Sequence, residues 1–554
     1  MAGREQHRQR NLPCCDTGGS ATNIIPDFGF ERRPDNNVSP RGARGERQYI
    51  WGWLRLADSA GTPGNVGLEV VPELISAIVW RCSGASRAAQ KKRVHHCMRG
   101  ISEWEEQLNS FDIEERREVL RRLFSACKSA LPGEGSNLNL HCHSFFSFNA
   151  HGWSPSRIAW EARKAGWYAA GLCDFDVLDG LEEFLSAGLV LGLRAVVHIE
   201  TRVFDTDREN VEINSPGEPG VAYIMGAGFP RIPADTTPEA RQLAELRRRA
   251  TERNAAMVQR INALLPRIAL DYEQDVVSLT PGGNPTERHI VRAYIRKSRD
   301  VFQQPDRVAS FWAEPLECPP EEVLDLLADP VLLEETIRTR LFKRGGPGYE
   351  PPSPRLFPPI REFIGWVKAC HAIPMAAWLD GTSAGEADPE ELLESLRSLG
   401  LSALNIIPER NWNVKDPTLR IRKIANLDAV VKAAQRLHFP VNIGTEMNKP
   451  GLPMVDDLTG VVLRKYRDTF MRGARFMIGQ SVLARYAGMA FDSDKAQGGF
   501  PSHTQRIEFF EQVGALPPLT EERAAQLLDL GEERALAHLR AEIAQTPQTS
   551  VSAT

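Results

Sequence analysis

The sequence predicts an α/β protein whose core is a barrel of β-strands alternating with helices, and three observations favour this class. The chain of 554 residues is long enough for a barrel of roughly 250 to 400 residues with further segments. From Leu138 onward, short apolar runs of β-type composition alternate with amphipathic segments, which is typical of parallel βα units. Imidazole and carboxylate side chains recur where these runs end, as they do at the mouth of such a barrel.

Residues 1–97 differ in composition from the rest of the chain. They are rich in Arg, Gly, Pro and Asn, and basic residues outnumber acidic ones. We expect a basic extension that is disordered or dispensable. Two alternatives stay open: an arm that contacts nucleic acid or an anionic surface, and a gene start placed too early, with Met98 as the true beginning. Residues 98–135 are patterned as a helical lead-in.

Seven candidate strands define a predicted barrel over residues 136–500. The strands are expected at 138–143, 168–174, 194–200, 221–226, 374–380, 403–408 and 441–446. Helices are expected between them at 155–164, 181–191, 390–399 and 427–437, where Pro, Ser and Gly supply start and stop signals.

The interval 229–371, between the fourth and fifth strands, is the exception to these short connections. Its pattern is mostly helical, so we expect a helical insertion. An insertion over one end of a barrel often covers a site or makes an oligomer contact. Residues 501–554 are expected to form a C-terminal amphipathic helix and tail, whose surface suits packing or a homo-oligomer.

The bulk composition excludes some classes of partner. A net charge of −5 gives no overall attraction for nucleic acid. The nine cysteines include no C-x-x-C pair, which indicates free thiols in a reducing compartment. No apolar run is long enough to span a membrane, and the N-terminus lacks the apolar region of a signal peptide. We therefore expect a cytoplasmic protein with no membrane partner.

The predicted strand ends carry side chains able to bind metals or move protons. They are His141 and His143, Asp174 and Asp176, Glu200 and Arg202, Asp380, Arg410 with Trp412 and Asn413, and Glu446 with Asn448. In a parallel barrel these ends converge on one mouth. Because imidazole and carboxylate together suit Zn, Mn or Fe, the pattern favours metal or acid–base chemistry. The alternative is that these polar groups only accompany strands into solvent.

The stretch HCHSFFSFNAHGWSPSRIAWEARKAGWYAAGLCDFDVLDGLEEFLSAGLVLGLRAVVHIET, residues 141–201, resembles the start of a PHP (polymerase and histidinol phosphatase) domain. Members typically show H-x-H, S-D-G, a helix that starts at Pro and ends in A-G, T-D-H-D, an acidic helix, and G-x-E. The resemblance implies a distorted (β/α)7 TIM-like barrel. It also implies metal-dependent hydrolysis of phosphoesters, the commonest activity of the family, with two or three Zn, Mn or Fe ions.

The resemblance assigns roles to individual positions. His141 and His143 fall on the first ligand pair of the family, and Glu200 falls on its bridging glutamate. Glu446 lies where the last strand of the family carries the aspartate of S-D-x-H. These four residues are the expected metal ligands. Asp174 and Asp176 match the acids of T-D-H-D and are expected to act in catalysis.

Several positions depart from the family pattern. Phe175 replaces the histidine of T-D-H, and Asn448 replaces the final histidine. Phe148 or Asn149 stands in place of the S-D-G aspartate, with a small insertion that brings in His151. Because several ligands of a three-metal site are missing, we expect one divalent ion, or two at most.

Two functions from different classes follow. The first is a metal-dependent phosphoester hydrolase that acts on a phosphorylated small molecule or a nucleic-acid end, with Arg202 or Arg410 neutralising the phosphate. The second is a degenerate PHP-like module that binds ligand without catalysis. Further candidate site residues are His151, Asp380, Trp412, Asn413 and Asn448. The sequence has no H-E-x-x-H or Walker motif, so zincin and NTPase activities have no support.

Overall fold

A computed structural model describes residues 99–545. The predicted extension 1–97 lies outside the described residues. The strands are β1 Leu138–Cys142, β2 Ala169–Phe175, β3 Arg194–Phe204, β4 Val221–Ala227, β5 Ile373–Trp378, β6 Ala403–Ile406 and β7 Val441–Ile443. The helices up to β5 are α1 Ile113–Cys127, α2 Pro155–Lys164, α3 Leu181–Leu191, α4 Pro238–Leu264, α5 Glu287–Phe302, α6 Pro305–Leu316, α7 Pro320–Ala328, α8 Pro330–Ile337 and α9 Ile360–Ala369, preceded by a helical turn at 99–107. The later helices are α10 Pro389–Leu399, α11 Glu409–Trp412, α12 Pro417–Arg436, α13 Arg467–Tyr486, α14 Asp494–Gly498, α15 His503–Ala515, α16 Glu521–Leu530 and α17 Glu532–Gln545.

The seven strands form one sheet in the order β1 to β7. A parallel bridge between Cys142 and Glu446 brings the last strand back to the first, and the amide of His143 donates to the carbonyl oxygen of Glu446 (2.9 Å). The sheet is therefore nearly closed, and the predicted class, a distorted (β/α)7 TIM-like barrel, is confirmed.

One strand runs against the direction that parallel βα units predict. β4 pairs antiparallel with both β3 and β5. The reason is local: β3 continues to Phe204, four residues past its expected end at Glu200, and a turn-rich loop returns the chain directly into β4 without a crossover helix. A direct return of this kind produces antiparallel pairing. The amino end of β4, with Tyr223, therefore lies beside the carboxyl end of β3.

Three of the four predicted outer helices begin and end within a residue of the expected positions, but α12 begins at Pro417, ten residues before its expected start at 427. Ser154 caps α2 by accepting from the amide of Arg157, and Pro155 occupies its first position. α3 ends at Gly192, whose φ of 62° is left-handed. The helical lead-in is held by a buried ion pair, in which Nε of Arg116 donates to Oε1 of Glu183 (2.8 Å).

The insertion has a hydrophobic core of its own. Tyr294, Trp312 and Ile337 belong to an apolar cluster that is distinct from the barrel core. Although α9 lies within the predicted insertion, its apolar residues pack into the barrel core, as those of the other outer helices do. The amphipathic segment expected at the C-terminus is divided at Gly531 into α16 and α17. Between residues 99 and 545, no helix is long and apolar enough to cross a bilayer.

Candidate metal centre and the cavity above it

His141, His143 and Glu200 converge inside the barrel. One possible ligand atom from each of the three lies within 4.8 Å of the others. Oε2 of Glu200 is 3.2 Å from Nε2 of His141 and 3.4 Å from Nε2 of His143. The three residues form a group that could hold a metal ion, as their positions in the sequence predict.

Strand geometry explains why these side chains meet. His141 and His143 are two residues apart at the end of β1, so a pleated strand directs both to the same face. Glu200 reaches the same interior from β3, where its neighbour across the sheet is Phe175 of β2. Gly444 makes room on the β7 side, because a Cβ there would lie 2.5 Å from the Cβ of His141.

The charges of the group are mutually dependent. Burial alone would raise the pKa of Glu200, but the neighbouring His141 and His143 outweigh it, and the pKa falls below its usual range. Burial opposes a charge on His141, yet Glu200 and Glu446 raise the pKa of its imidazole. A buried carboxylate therefore attracts positive charge to this point, and a divalent cation would satisfy the same attraction.

Unpartnered nitrogen atoms test whether the group suits a metal. Nδ1 of His141 and Nε2 of His143 are buried and have no hydrogen-bond partner in the protein. Buried polar atoms are normally paired, so each orphan atom needs an explanation. Two imidazoles and one carboxylate are also a common ligand set for catalytic zinc, which leaves further positions open. The donor set therefore fits one divalent ion.

Asp174 faces away from the cavity and supports His143 indirectly. Its carboxylate accepts hydrogen bonds from the amide of Ser144 (2.7 Å), Oγ of Ser144 (2.7 Å) and Oγ of Ser147 (2.6 Å). Because the Ser147 proton is directed to Asp174, the Ser147 oxygen accepts from Nδ1 of His143 at 3.2 Å. This arrangement leaves Nε2 of His143 unprotonated and able to bind a cation.

Two features reduce the site relative to a larger metal cluster. The ring of Phe175 stacks on His143 with centroids 4.5 Å apart, at the position where the family resemblance implies a histidine. Glu446 does not join the three-residue group, because its carboxylate is ion-paired with Nη2 of Arg410 at 2.5 Å. Neither residue supplies a free fourth ligand in this arrangement.

Backbone strain concentrates at the same mouth. Asp176 and Glu446 have φ values of 61° and 64°, and Met447 follows at 56°. Non-glycine residues seldom adopt this left-handed conformation, and strained residues cluster at functional sites. The amide of Asp176 donates to the carbonyl oxygen of Glu200 (2.9 Å), which holds this turn beside the metal group.

A cavity of about 790 Å³ lies above the metal group, between the barrel mouth and the insertion. From the barrel it is lined by Glu200, Arg202 and Arg410, among others. The insertion contributes residues of α4 and of the segment that begins α5. The volume is sufficient for a small organic ligand.

Most of the candidate residues from the sequence line the cavity. Asp176, Arg202, Asp380, Arg410, Asn413, Glu446 and Asn448 line it. Asp380 is paired with Lys423 (2.8 Å), and Asn413 donates to Glu409 (2.6 Å).

Besides His141 and His143, which lie beneath the cavity, three candidate residues do not line it. Asp174 is turned to Ser144 and Ser147, as described above. His151 lies on an exposed loop and stacks on Trp153, with centroids 4.7 Å apart. Trp412 packs against the barrel core, which is the anchoring role that a buried indole gives a loop.

Two further residues of the site, Arg253 and Ser147, are not identified by the sequence analysis. Arg253 of α4 lines the cavity, although it lies in a charged segment that resembles a solvated helix. A signal was present, because Leu246, Ala250 and Met257 place Arg253 on the buried stripe of that helix. Ser147 gives no such signal, since a serine in a loop is ordinary.

His198 lies in the barrel interior but is unsuited to bind a cation. Its Nδ1 accepts from the amide of Gly228 (3.1 Å), so the proton of the neutral ring is on Nε2. Burial and the neighbouring His141 lower its pKa to about 3. The interpretation as a core histidine is therefore favoured.

Comparisons with known proteins give weak similarities. No protein-family model matches the chain, and no curated protein matches it in sequence. Among solved structures, an amidohydrolase from Chromobacterium violaceum, with bound sulfate and no metal, is 17% identical with a TM-score of 0.39, over 60% of this chain and 95% of that one. A protein from Bifidobacterium adolescentis, provisionally described as a metal-dependent phosphoesterase, is 20% identical with a TM-score of 0.38, over 61% and 98% of the two chains. At this level of similarity, neither protein is evidence for the chemistry of this chain.

Proposed function

We propose that the protein is a metal-dependent hydrolase of phosphoesters, in a barrel that resembles PHP domains. One observation carries the proposal: the imidazoles of His141 and His143 converge with Glu200 beneath a cavity that arginines line, and Nε2 of His143 is buried there without a hydrogen-bond partner. His141, His143 and Glu200 would hold one divalent ion, Zn, Mn or Fe. Such an ion lowers the pKa of water in contact with it and so supplies a nucleophile near neutral pH.

The residues of the chain perform the remaining tasks. Arg410 lines the cavity beside Glu446, and its guanidinium can neutralise the phosphate that undergoes attack. Asp176 also lines the cavity, and burial raises the pKa of its carboxyl despite the opposing charge of Arg253. A carboxyl of raised pKa keeps its proton longer and can donate it to the leaving oxygen. The insertion covers the mouth and limits the access of water.

The test begins with the metal content of the purified full-length chain, measured by plasma emission spectrometry. We expect about one Zn, Mn or Fe per chain in the wild type and none in the His141→Ala, His143→Ala double variant. His151→Ala is the control, because this imidazole lies outside the cavity. The wild type should hydrolyse an aryl phosphoester with Mn²⁺, and the double variant should not. A wild-type protein that contains no metal and takes up no added ion contradicts the proposal.

A second function, ligand binding without catalysis, is favoured by a different observation. Phe175 stacks on His143, and Arg410 neutralises Glu446, so the ligand set ends at three residues. In that case the double variant should fold and bind phosphorylated ligands as the wild type does, and neither protein should turn over a phosphoester. Ligand titration of both proteins by calorimetry separates the two functions.

A further inference from the structure

Two arginines meet on the cavity wall and come from different parts of the fold. Arg202 is at the end of β3, and Arg253 is on the insertion helix α4. Both guanidinium groups lie over the ring of Phe357, with their central carbons 4.6 Å and 4.9 Å from its centroid. Stacking on one ring fixes the positions of the two cations relative to each other.

The protein leaves most of the donors of this pair unused. Arg253 donates one hydrogen bond, from Nη1 to the carbonyl oxygen of Leu356 (3.1 Å), and its buried Nε has no partner. Its nearest carboxylate oxygen is Oδ2 of Asp176 at 3.8 Å, beyond hydrogen-bond distance. Arg202 donates from Nη1 to Glu218 at 3.2 Å. A guanidinium has five N–H donors, so both side chains retain capacity for an oxyanion.

The charge on Arg253 is also electrostatically costly while no anion is present. Burial and the neighbouring Arg202 lower the pKa of Arg253 to about 10. Two like charges held together in a partly dry cavity repel each other, and the acids nearby do not hydrogen-bond to Arg253. An anion between them would relieve the repulsion and satisfy the unused donors at once.

The position of the pair separates it from the metal group. Glu200 and Arg202 are two residues apart in β3, so they lie on the same face with their Cα atoms roughly 7 Å apart. Arg253 approaches from the insertion side and not from the barrel side. A group bound by the arginine pair therefore differs from the group that would react at His141, His143 and Glu200.

We infer that Arg202 and Arg253 form an anion-binding subsite that receives a second anionic group of the substrate, a phosphate or a carboxylate. As a substrate subsite it rests on the proposed function, but as an anion site it does not need the metal. The subsite also gives the insertion a role: it completes recognition of the substrate, since one of the two guanidiniums belongs to it.

The experiment uses the full chain in the presence of EDTA, so that its outcome does not depend on a metal. Inorganic phosphate and glutarate are titrated in separate arms by calorimetry, which distinguishes a phosphate site from a carboxylate site. We expect one of the two anions to bind the wild type, and Arg253→Gln to weaken it by about tenfold or more. Arg248→Gln is the matched control, because Arg248 lies on the same helix with its side chain 54% exposed.

Two results overturn the inference: neither anion binds the wild type, or Arg253→Gln binds as the wild type does. If that variant does not fold, phenylglyoxal modification of the wild type decides, with peptide masses read with and without phosphate. Protection of Arg253 by phosphate supports the subsite, and a site that takes only the carboxylate is tested in the same way with glutarate. An Arg253 that neither anion protects, or that never reacts, contradicts it. Metal content is unaffected by these outcomes, so failure here leaves the proposed hydrolase to its own test.

Discussion

At the scale of single residues, the orientation of His143 in the group His141, His143 and Glu200 depends on the hydroxyl of Ser147, which is not one of the three. Ser147 lies between Asp174 and His143, donating to the carboxylate at 2.6 Å and contacting Nδ1 of the imidazole at 3.2 Å. Partners of this kind fix the tautomer of a ligating histidine and commonly affect metal affinity as strongly as some ligands do. Ser144 donates to the same carboxylate from its amide and its hydroxyl, and neither hydrogen bond involves the imidazole.

Ser147→Ala should therefore weaken metal binding while the ligands stay in place. We expect a loss of affinity of about 10- to 100-fold, because Nδ1 of His143 loses its acceptor and the ring no longer has a fixed tautomer. Competition with a chromogenic chelator measures the change. Ser144→Ala removes a hydrogen bond to Asp174 but keeps the contact with His143, so it should lose much less affinity. Equal losses in the two variants would show that Ser147 acts only through Asp174.

The sequence predicts that His141, His143 and Glu200 converge, but it does not predict what surrounds them, for a physical reason. Strand period places His141 and His143 on one face, and the strand-end rule brings Glu200 to them. Both Asp174 and Asp176 are candidates from the sequence, but only Asp176, which adopts a left-handed conformation, lines the cavity. A backbone departure of this kind depends on contacts with the next strand, and a local pattern does not contain them.

At the scale of elements, the C-terminal helices α13 and α15 approach each other closely at two glycines. A Cβ at Gly479 would collide with the carbonyl oxygen of Phe510, and one at Gly514 would collide with that of Arg475. The backbones are therefore in direct contact, and no larger residue fits without separating the helices. These helices pack into the barrel core through Phe476 and Phe510.

Gly479→Ala should destabilise the protein although alanine is the better helix former. We expect a loss of about 1 to 3 kcal/mol in the free energy of unfolding, since one helix must shift against the other. Gly365→Ala is the matched control, because Gly365 is on an exposed face of α9 and a Cβ there meets nothing within 4 Å. That variant should gain up to about 1 kcal/mol. Chemical denaturation gives both values, and a stable Gly479→Ala protein would contradict the close packing.

His289 makes the start of α5 sensitive to acid. Its Nδ1 accepts from the amide of Thr286 (3.1 Å), and burial, with a smaller effect of Arg292, lowers the pKa of the imidazole to about 3. The folded protein therefore holds this ring neutral, whereas the unfolded chain binds a proton near pH 6.5. The contribution of His289 is complete above about pH 6.5 and is lost as the pH falls towards 3.

We expect wild-type α5 to lose protection from hydrogen exchange between pH 7 and pH 5 more steeply than His289→Gln. Glutamine at the third helical position can still accept from the capping residue, and it does not titrate. Because other buried histidines titrate in both proteins, the difference between the two pH profiles isolates His289. Parallel profiles would mean that the ring contributes nothing to the pH dependence of this helix.

The direction of β4 is a property of an element that the sequence pattern does not predict. The continuous apolar run at 221–226 predicts a strand, and the structure has one at Val221–Ala227. The period of two is the same for parallel and antiparallel strands, so it does not give direction. The direction of a strand is indicated by the connection that precedes it. The lack of a helix between β3 and β4 is typical of a hairpin, whereas the regular βα pattern elsewhere favours a parallel strand.

At the scale of the whole molecule, two hydrophobic cores share one cavity. Most of the insertion packs in a core of its own. A small apolar cluster that includes Phe204 and Phe357, together with polar contacts, joins it to the barrel. Nη2 of Arg247 on α4 is 2.5 Å from Asp179 after β2. Asn284, before α5, is buried and donates from Nδ2 to the carbonyl oxygen of Phe175 at 2.8 Å. The sequence predicts that the insertion exists and is helical, but not where it docks, since docking depends on a few side chains in tertiary contact.

Asn284→Ala should loosen the insertion from the barrel without unfolding either core. The variant removes the hydrogen bond that the buried Asn284 donates to the carbonyl oxygen of Phe175, which we expect to cost about 1 to 3 kcal/mol of docking free energy. Amides of the insertion should then exchange faster, while those of β1 and β3 keep their protection. Asn426→Ala is the matched control, because Asn426 donates to two carbonyl oxygens, those of Asp380 and Gly381, that both belong to the barrel. If both variants speed exchange in the insertion alike, or if Asn284→Ala also exposes β1 and β3, the insertion and the barrel open as one cooperative unit. Faster exchange in the insertion alone would mean that the insertion, which carries Arg253 of the anion subsite, opens independently of the barrel.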